Sequence, residues 1–414
     1  MRGLGAAFWR LYLAGAASSL ADGVNRVALP LLAAALTRDP VLIAGLTTLA
    51  FLPWLLFGLL SGALVDRVDR RRAMAAANLT RAVAVGVLGT AVVLDRTGIG
   101  LVYVVAFGIG VAETVHDSAA RAALPQVVRT DQLETGNSAI AVQEVVGQSF
   151  LGAPVGAILF AVAAAAPLFA NAAAFTLAAV LVLTIRRNLR PGRTERTSMA
   201  TDIGVGVRWI LRHRLLRDLT ALTAVLAFGL YMTYAVMVLY VLETLDLPQS
   251  AYGLIVAGAG AGAVLGGLAA PWLRARLGRG TVLVGAALVS GLATMTMGLV
   301  DVPLVAGLLF GLAALAGTGW DVLAMSLRQA LVPEELFGRV QGSYRTLVWG
   351  AIPLGALTGG ALATVTSVPA VFVTGGLVQL AAAVGLWRLV GRHRDVVDAE
   401  FGRPPVDRGT AART

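Results

Sequence analysis

Asp22, Glu113, Glu144 and Asp321 are carboxylates set inside long apolar runs, where an ionised group is costly and marks a functional site by default. Asp22 lies 12 residues after Arg10, about 18 Å along a helix, which puts it near the middle of a hydrocarbon core of about 30 Å. Arg26 is one turn further on the same face, with Asn25 beside it. Two readings follow. Asp22 carries a proton, its affinity set by Arg26 and by hydration, or Asp22 and Arg26 form a permanent ion pair. Glu113, His116 and Asp117 share one helical face at i, i+3 and i+4. Glu113 is mid-membrane by count, and Asp117 is close enough to Arg121 to form a gate pair. Glu144, with Gln143 and Gln148, adds polar groups to a fifth apolar segment. Arg81 and Arg345 read as counter-ions or gating contacts. Phe51, Trp54, Tyr231, Tyr234, Tyr240 and Trp320 are rings that could stack on a substrate.

The elements that carry these residues are membrane spans. The chain has 414 residues, of which 57% are hydrophobic and 14% charged, against about 25% charged in soluble domains; mean hydropathy is +0.80. Twelve apolar segments are readable: Phe8–Leu36, Val41–Leu64, Ala73–Leu94, Leu101–Ala120, Asn137–Val162, Pro167–Ile185, Leu219–Leu242, Tyr252–Leu273, Thr281–Leu299, Leu304–Leu323, Gly342–Val365 and Val371–Val390. A cleaved signal at Ser19-Leu20-Ala21 would leave Asp22–Leu36, too short to span.

Every one of the 33 basic residues is Arg. Without Lys there is no P-loop, so the chain by itself is not an ATP-driven pump. Zero Cys and three scattered His exclude disulfides, thiolate chemistry and a His/Cys metal cluster, and no cofactor is expected. The net charge of +10 does not indicate nucleic acid, because the arginines fall in short loops and not on one solvated face. Alternate loops hold Arg67, Arg70–Arg72, Arg121, Arg129, the Arg186–Arg217 cluster, Arg274, Arg276, Arg279, Arg328 and Arg339; the others hold Arg38 and Arg96. By the positive-inside rule both termini are cytoplasmic. Residues 1–185 form one six-helix unit and 219–390 a second. Between them, 186–218 is a linker with a basic amphipathic helix, read either as lying on the inner leaflet or as a solvated linker helix. Residues 391–414 are a cytoplasmic tail.

The halves repeat. Arg67-Val68-Asp69-Arg70 after the second segment answers Arg276-Leu277-Gly278-Arg279 after the eighth, and Arg121…Pro125 answers Arg328…Pro333. Gly152 and Gly156 in the fifth answer Gly355 and Gly359 in the eleventh, at helix-packing spacing. By this register Asp321 is the counterpart of Glu113. Gly258–Gly267 lies inside an apolar segment with no strand before it, so it reads as helix packing and not as a nucleotide loop.

Gly62, Leu64, Asp66, Arg67, Arg70 and Arg71 resemble the loop motif of the major facilitator superfamily, with Asp69 in place of its last Gly. The D-R-x-D-R-R form is similar to the branch containing macrolide-efflux pumps and the enterobactin exporter, as are Ser18–Gly23, Arg121–Pro125 and Gly338-Arg339-Val340. The exporter motif of the fifth span is kept only at Gly152 and Gly156. The resemblance implies an all-α membrane protein of twelve helices in two pseudo-symmetric six-helix bundles. It implies no enzyme activity, but alternating access, with proton-coupled efflux of amphipathic or hydrophobic small molecules from a bacterial inner membrane by a monomer in contact with lipid. Export of a siderophore or other charged metabolite is the alternative; a non-transporting sensor or scaffold is a third reading, disfavoured by the mid-membrane charges. In the family the acid at Asp66 is thought to latch the gate in one state, by engaging the helix dipole of the eleventh span.

Overall fold

A computed structural model describes residues 4–65, 67–129, 132–186, 189 and 199–398. In it the apolar segments are helices, as hydrocarbon demands of a chain whose peptide groups have no water to bond. The elements are α1 (Ala6–Leu36), α2 (Pro40–Val65), α3 (Arg70–Val93), α4 (Ile99–Val127), α5 (Leu133–Val145), a π-helical segment (Val146–Gly152), α6 (Ala153–Val162) and α7 (Ala166–Leu183). After the linker helix α8 (Met199–Arg212) come α9 (Arg214–Leu239), a π-helical turn (Tyr240–Thr244), α10 (Gln249–Leu277), α11 (Arg279–Met297), α12 (Pro303–Leu331), α13 (Glu334–Val365), α14 (Val368–Arg392) and the short α15 (Arg394–Val397). Twelve spans, all among the described residues, are long and apolar enough to cross a membrane. Large apolar side chains such as Val104, Leu268 and Leu308 are exposed along them, as befits a surface solvated by lipid.

The packing repeats with a shift of six spans. In the first bundle α1 and α3 pack on α7, and α2 and α3 on α4; in the second α9 and α11 pack on α14, and α10 and α11 on α12. Glycines allow the closest approaches. A Cβ on Gly152 would lie 2.6 Å from Gly23 Cα of α1, and one on Gly156 2.9 Å from the Val24 carbonyl oxygen. Gly355 and Gly359 of α13 meet the backbone of α9 at Phe228 and Met232 in the same way. The bundles meet through α2 with α13 and through α6 with α10, again a symmetric exchange.

Three features differ from the sequence reading. α4 runs to Val127, through Arg121 and Pro125, because charge marks where the hydrocarbon ends and not where the helix ends. The fifth span is interrupted by the π-helical segment, which brings Gln148 and Gly152 against Gly23. The linker helix seats its apolar side on protein: Ile210 is buried with Val340, Tyr344 and Val348 of α13, and Gly206 abuts the Arg339 carbonyl. Residues 187, 188, 190–198 and 399–414, parts of the expected linker and tail, lie outside the described residues.

Candidate functional site: a polar cavity between the bundles

A cavity of about 470 Å³ lies between the bundles. Its walls run from Pro30 and Leu46 to Arg121, Leu124 and Asn137 at the arginine-rich ends of α4 and α5. At the opposite face the bundles close on each other. Gly360 of α13 meets Pro40 and Ala44 of α2, Gly253 of α10 meets Ala153 and Ala157 of α6, and Arg38 pairs with Glu243 at 3.6 Å. The cavity is therefore reached from the arginine-rich face.

The first bundle supplies the charges. Asp22, Arg26, Glu113, His116, Asp117, Arg121 and Glu144 all line the cavity, joined by Gln143 and Gln148. Asp22, however, is not paired with Arg26. Its Oδ1 accepts from Arg81 Nη1 of α3 at 3.0 Å. Arg81 is 0% exposed and is held further by Ser18 Oγ at 3.0 Å, by Asn78 Oδ1 at 2.5 Å and over the Phe175 ring at 4.5 Å. The i, i+4 spacing of Asp22 and Arg26 favours contact on an isolated helix, but the packing of α1 on its neighbours aims Asp22 at a buried cation that must be neutralised. Arg26 is left exposed to the cavity, and among the described residues it forms no hydrogen bond or ion pair.

Asp117 lies 3.7 Å from Arg121 Nη2 and 3.6 Å from His116 Nδ1. Glu113 and Glu144 form no hydrogen bond or ion pair among the described residues, and both face the cavity. Gln143 donates to Ser19 Oγ at 2.7 Å, tying the fifth span to the first beside Asp22.

The facing wall is aromatic. Tyr231, Tyr234 and Trp349 from the second bundle line the cavity with Phe51 and Trp54 of α2. Trp54 and Trp349 meet edge to face at 4.8 Å, and Phe51 and Tyr231 at 5.1 Å. Arg345 lies over both indoles, 5.0 Å from Trp54 and 4.3 Å from Trp349. Trp349 and the Asn78–Ser18 support of Arg81 escaped the sequence reading. The i, i+3 spacing of Asn78 and Arg81 in an apolar run was the available signal for the latter.

Other expected residues lie elsewhere. Asp321 is exposed on α12 and is not part of the cavity lining, so its register with Glu113 does not carry into a shared site. Tyr240 is buried and donates to the Met297 and Val300 carbonyls; Trp320 is buried in the second bundle's core. In the loop motif, Arg70 Nη1 donates to the Ala122 carbonyl at 2.7 Å and Arg71 Nη1 to the Ile185 carbonyl at 2.7 Å. Arg67 is exposed, a Cβ on Gly62 would meet nothing within 4 Å, and Asp66 lies outside the described residues.

Two six-helix bundles related by a six-span shift, enclosing a polar cavity open at one face, have the architecture of a multi-pass membrane transporter. The chain belongs to the transmembrane secretion effector family of the major facilitator superfamily, whose profile matches residues 5–407. An MFS-type transporter of Mycobacterium tuberculosis is 29% identical, the match covering 93% of this chain and 91% of the relative. The enterobactin exporter EntS of Citrobacter koseri is 27% identical over 96% of this chain and 94% of its own. Among solved structures, the nucleoside transporter NupG matches with a TM-score of 0.78 at 13% identity, over 93% of this chain and 99% of that one. A bacterial homologue of the iron transporter ferroportin in its inward-facing state matches with a TM-score of 0.74 at 16% identity, over 92% and 98%. These likenesses establish the fold.

Proposed function

We propose that the protein is a proton-coupled exporter of amphipathic small molecules that works by alternating access between the bundles of residues 1–185 and 219–390. The observation that carries the reading is the two-faced cavity. Carboxylates of the first bundle confront aromatic rings of the second, so an apolar body can stack while protons exchange on the opposite wall. Arg81 holds Asp22 as its counter-ion, which leaves Glu113 and Glu144 unpaired on the cavity, and Glu113, mid-membrane by count, is the one assigned to proton exchange. In this cycle Glu113 takes a proton when the cavity faces outward and releases it when substrate enters from inside. The arginine-rich face, with both termini, is assigned to the cytoplasm by the positive-inside rule, and the membrane to the bacterial inner membrane. The protein acts as a monomer in lipid.

Reconstituted vesicles with an imposed pH gradient test the reading. Glu113→Gln is expected to retain substrate counterflow and to lose accumulation driven by the gradient. Undiminished gradient dependence in that variant would remove Glu113 from coupling, and the absence of pH-driven flux across a broad panel of lipophilic dyes would favour a sensor or scaffold. A second reading, export of an anionic metabolite of the siderophore type, is supported by the unpaired Arg26 guanidinium in the cavity and by the similarity to an enterobactin exporter. Under it, Arg26→Gln weakens export of anionic compounds and spares neutral ones.

A further inference from the structure

Each half carries a loop of the same register on the arginine-rich face, Asp66–Arg71 and Ala275–Gly280. Asp69 corresponds to Gly278, Arg70 to Arg279 and Arg71 to Gly280. In the first loop Asp69 caps α3: its Oδ1 accepts from the Arg71 backbone N–H at 2.9 Å, satisfying a donor that the helix cannot. The second loop has no acid. Gly278 stands at the cap with φ +81° and no side chain to offer to the first turn of α11.

The equivalent N–H is nevertheless satisfied. Gly280 donates its backbone N–H to Asp398 Oδ1 at 2.8 Å, across a separation of 118 residues. The segment that delivers Asp398 is seated firmly. Val397 is 1% exposed among apolar residues of α11 and α14, and its carbonyl accepts from Arg279 Nη1 at 3.2 Å. Arg394 Nε lies 3.7 Å from Asp398 Oδ2. Gly278 belongs to the fit, since a Cβ there would come within 3.3 Å of Asp398 Oδ1. The first bundle makes a related closure with its own exit segment, where Arg71 bonds the Ile185 carbonyl and the Arg70 N–H reaches the Leu189 carbonyl at 3.4 Å.

We infer that Asp398 is the missing acid of the second loop, delivered by the segment after α14, and that it positions the start of α11 as Asp69 positions the start of α3. Each bundle then ties the start of its third helix to the exit of its sixth, a closed ring suited to a unit that rocks as a body. In the first half the acid is local and the arginine reaches out. In the second, both the arginine and the acid bridge to the exit segment.

Amide hydrogen exchange of the full-length protein in lipid nanodiscs tests the assignment. Asp398→Ala should raise exchange over residues 280–283 about fivefold, the effect of losing one helix cap, and the exposed neighbour Asp395→Ala should not. Adding Gly278→Asp to Asp398→Ala should restore protection, because the cap becomes local again once the loop relaxes to the φ of Asp69. Gly278→Asp alone should release the tail, raising exchange over 393–398 while 280–283 stay protected; this variant tests the idea even if Asp398→Ala unfolds. Unchanged exchange in Asp398→Ala, or a tail still protected in Gly278→Asp, would overturn the assignment.

Discussion

Arg81 and Asp22 should each be costly to remove alone and less costly to remove together. Arg81→Met takes away a buried cation bonded to Asp22, Ser18 and Asn78 and stacked on Phe175. It leaves Asp22 as a carboxylate without its partner. Breaking a buried pair this way costs about 3–5 kcal/mol. The Asp22 side chain is 16% exposed, on the cavity. Water there relieves part of the penalty, so about 3 kcal/mol is expected. Asp22→Asn keeps an oxygen for Arg81 Nη1 but leaves a fully buried guanidinium without its counter-charge, so its cost should also be about 3 kcal/mol. In Asp22→Asn/Arg81→Met the stranded charge is gone, and the loss should fall short of the summed single losses by at least ~1 kcal/mol. Unfolding of the purified protein in detergent, followed by tryptophan fluorescence, ranks the four proteins. Strict additivity in the double, or a negligible loss in either single variant, would refute the pair as the support of this wall.

Three further outcomes follow from the same geometry. Gly152→Ala forces a Cβ against α1 at 2.6 Å from Gly23, and should lower stability by about 1–3 kcal/mol. Gly258→Ala, with nothing within 4 Å, should be neutral in the same unfolding assay. Hydrogen bonds from Arg71 hold the Asp69 carboxyl below its ordinary value of 3.8, so the stability it contributes is present above that value and is lost as pH falls through the lower folded value. The stability gap between the protein and Asp69→Asn should therefore stay constant from about pH 5 to about pH 8 and close only in stronger acid. Finally, Trp349→Ala removes the ring that packs on Trp54 and carries Arg345, and should weaken binding of aromatic substrates, read by equilibrium dialysis, more than binding of aliphatic ones.

Span number, helical character and the arginine bias between loops were legible in the chain because lipid imposes them locally: each segment must bury its own peptide groups and keep its guanidinium groups at the ends. The repeat was legible too, since Gly152, Gly156, Gly355 and Gly359 mark close helix contacts wherever they recur. Asp22, Glu113, Asp117 and Glu144 stood out because a carboxylate in an apolar run is rare. What each of them touches was not legible. Asp22 has Arg26 one turn away in sequence, yet bonds Arg81, 59 residues on. Asp321 shares a register with Glu113, yet lies outside the cavity lining. Partners of this kind depend on which faces of separate helices are pressed together, and helical spacing describes only one helix at a time. The same holds at Gly278, where a cap absent from the local sequence is supplied from Asp398. Sequence alone determined that this chain crosses the membrane twelve times as a doubled bundle with charges at mid-depth. Only the packing of those helices decided which charges neutralise each other and which are left facing the cavity.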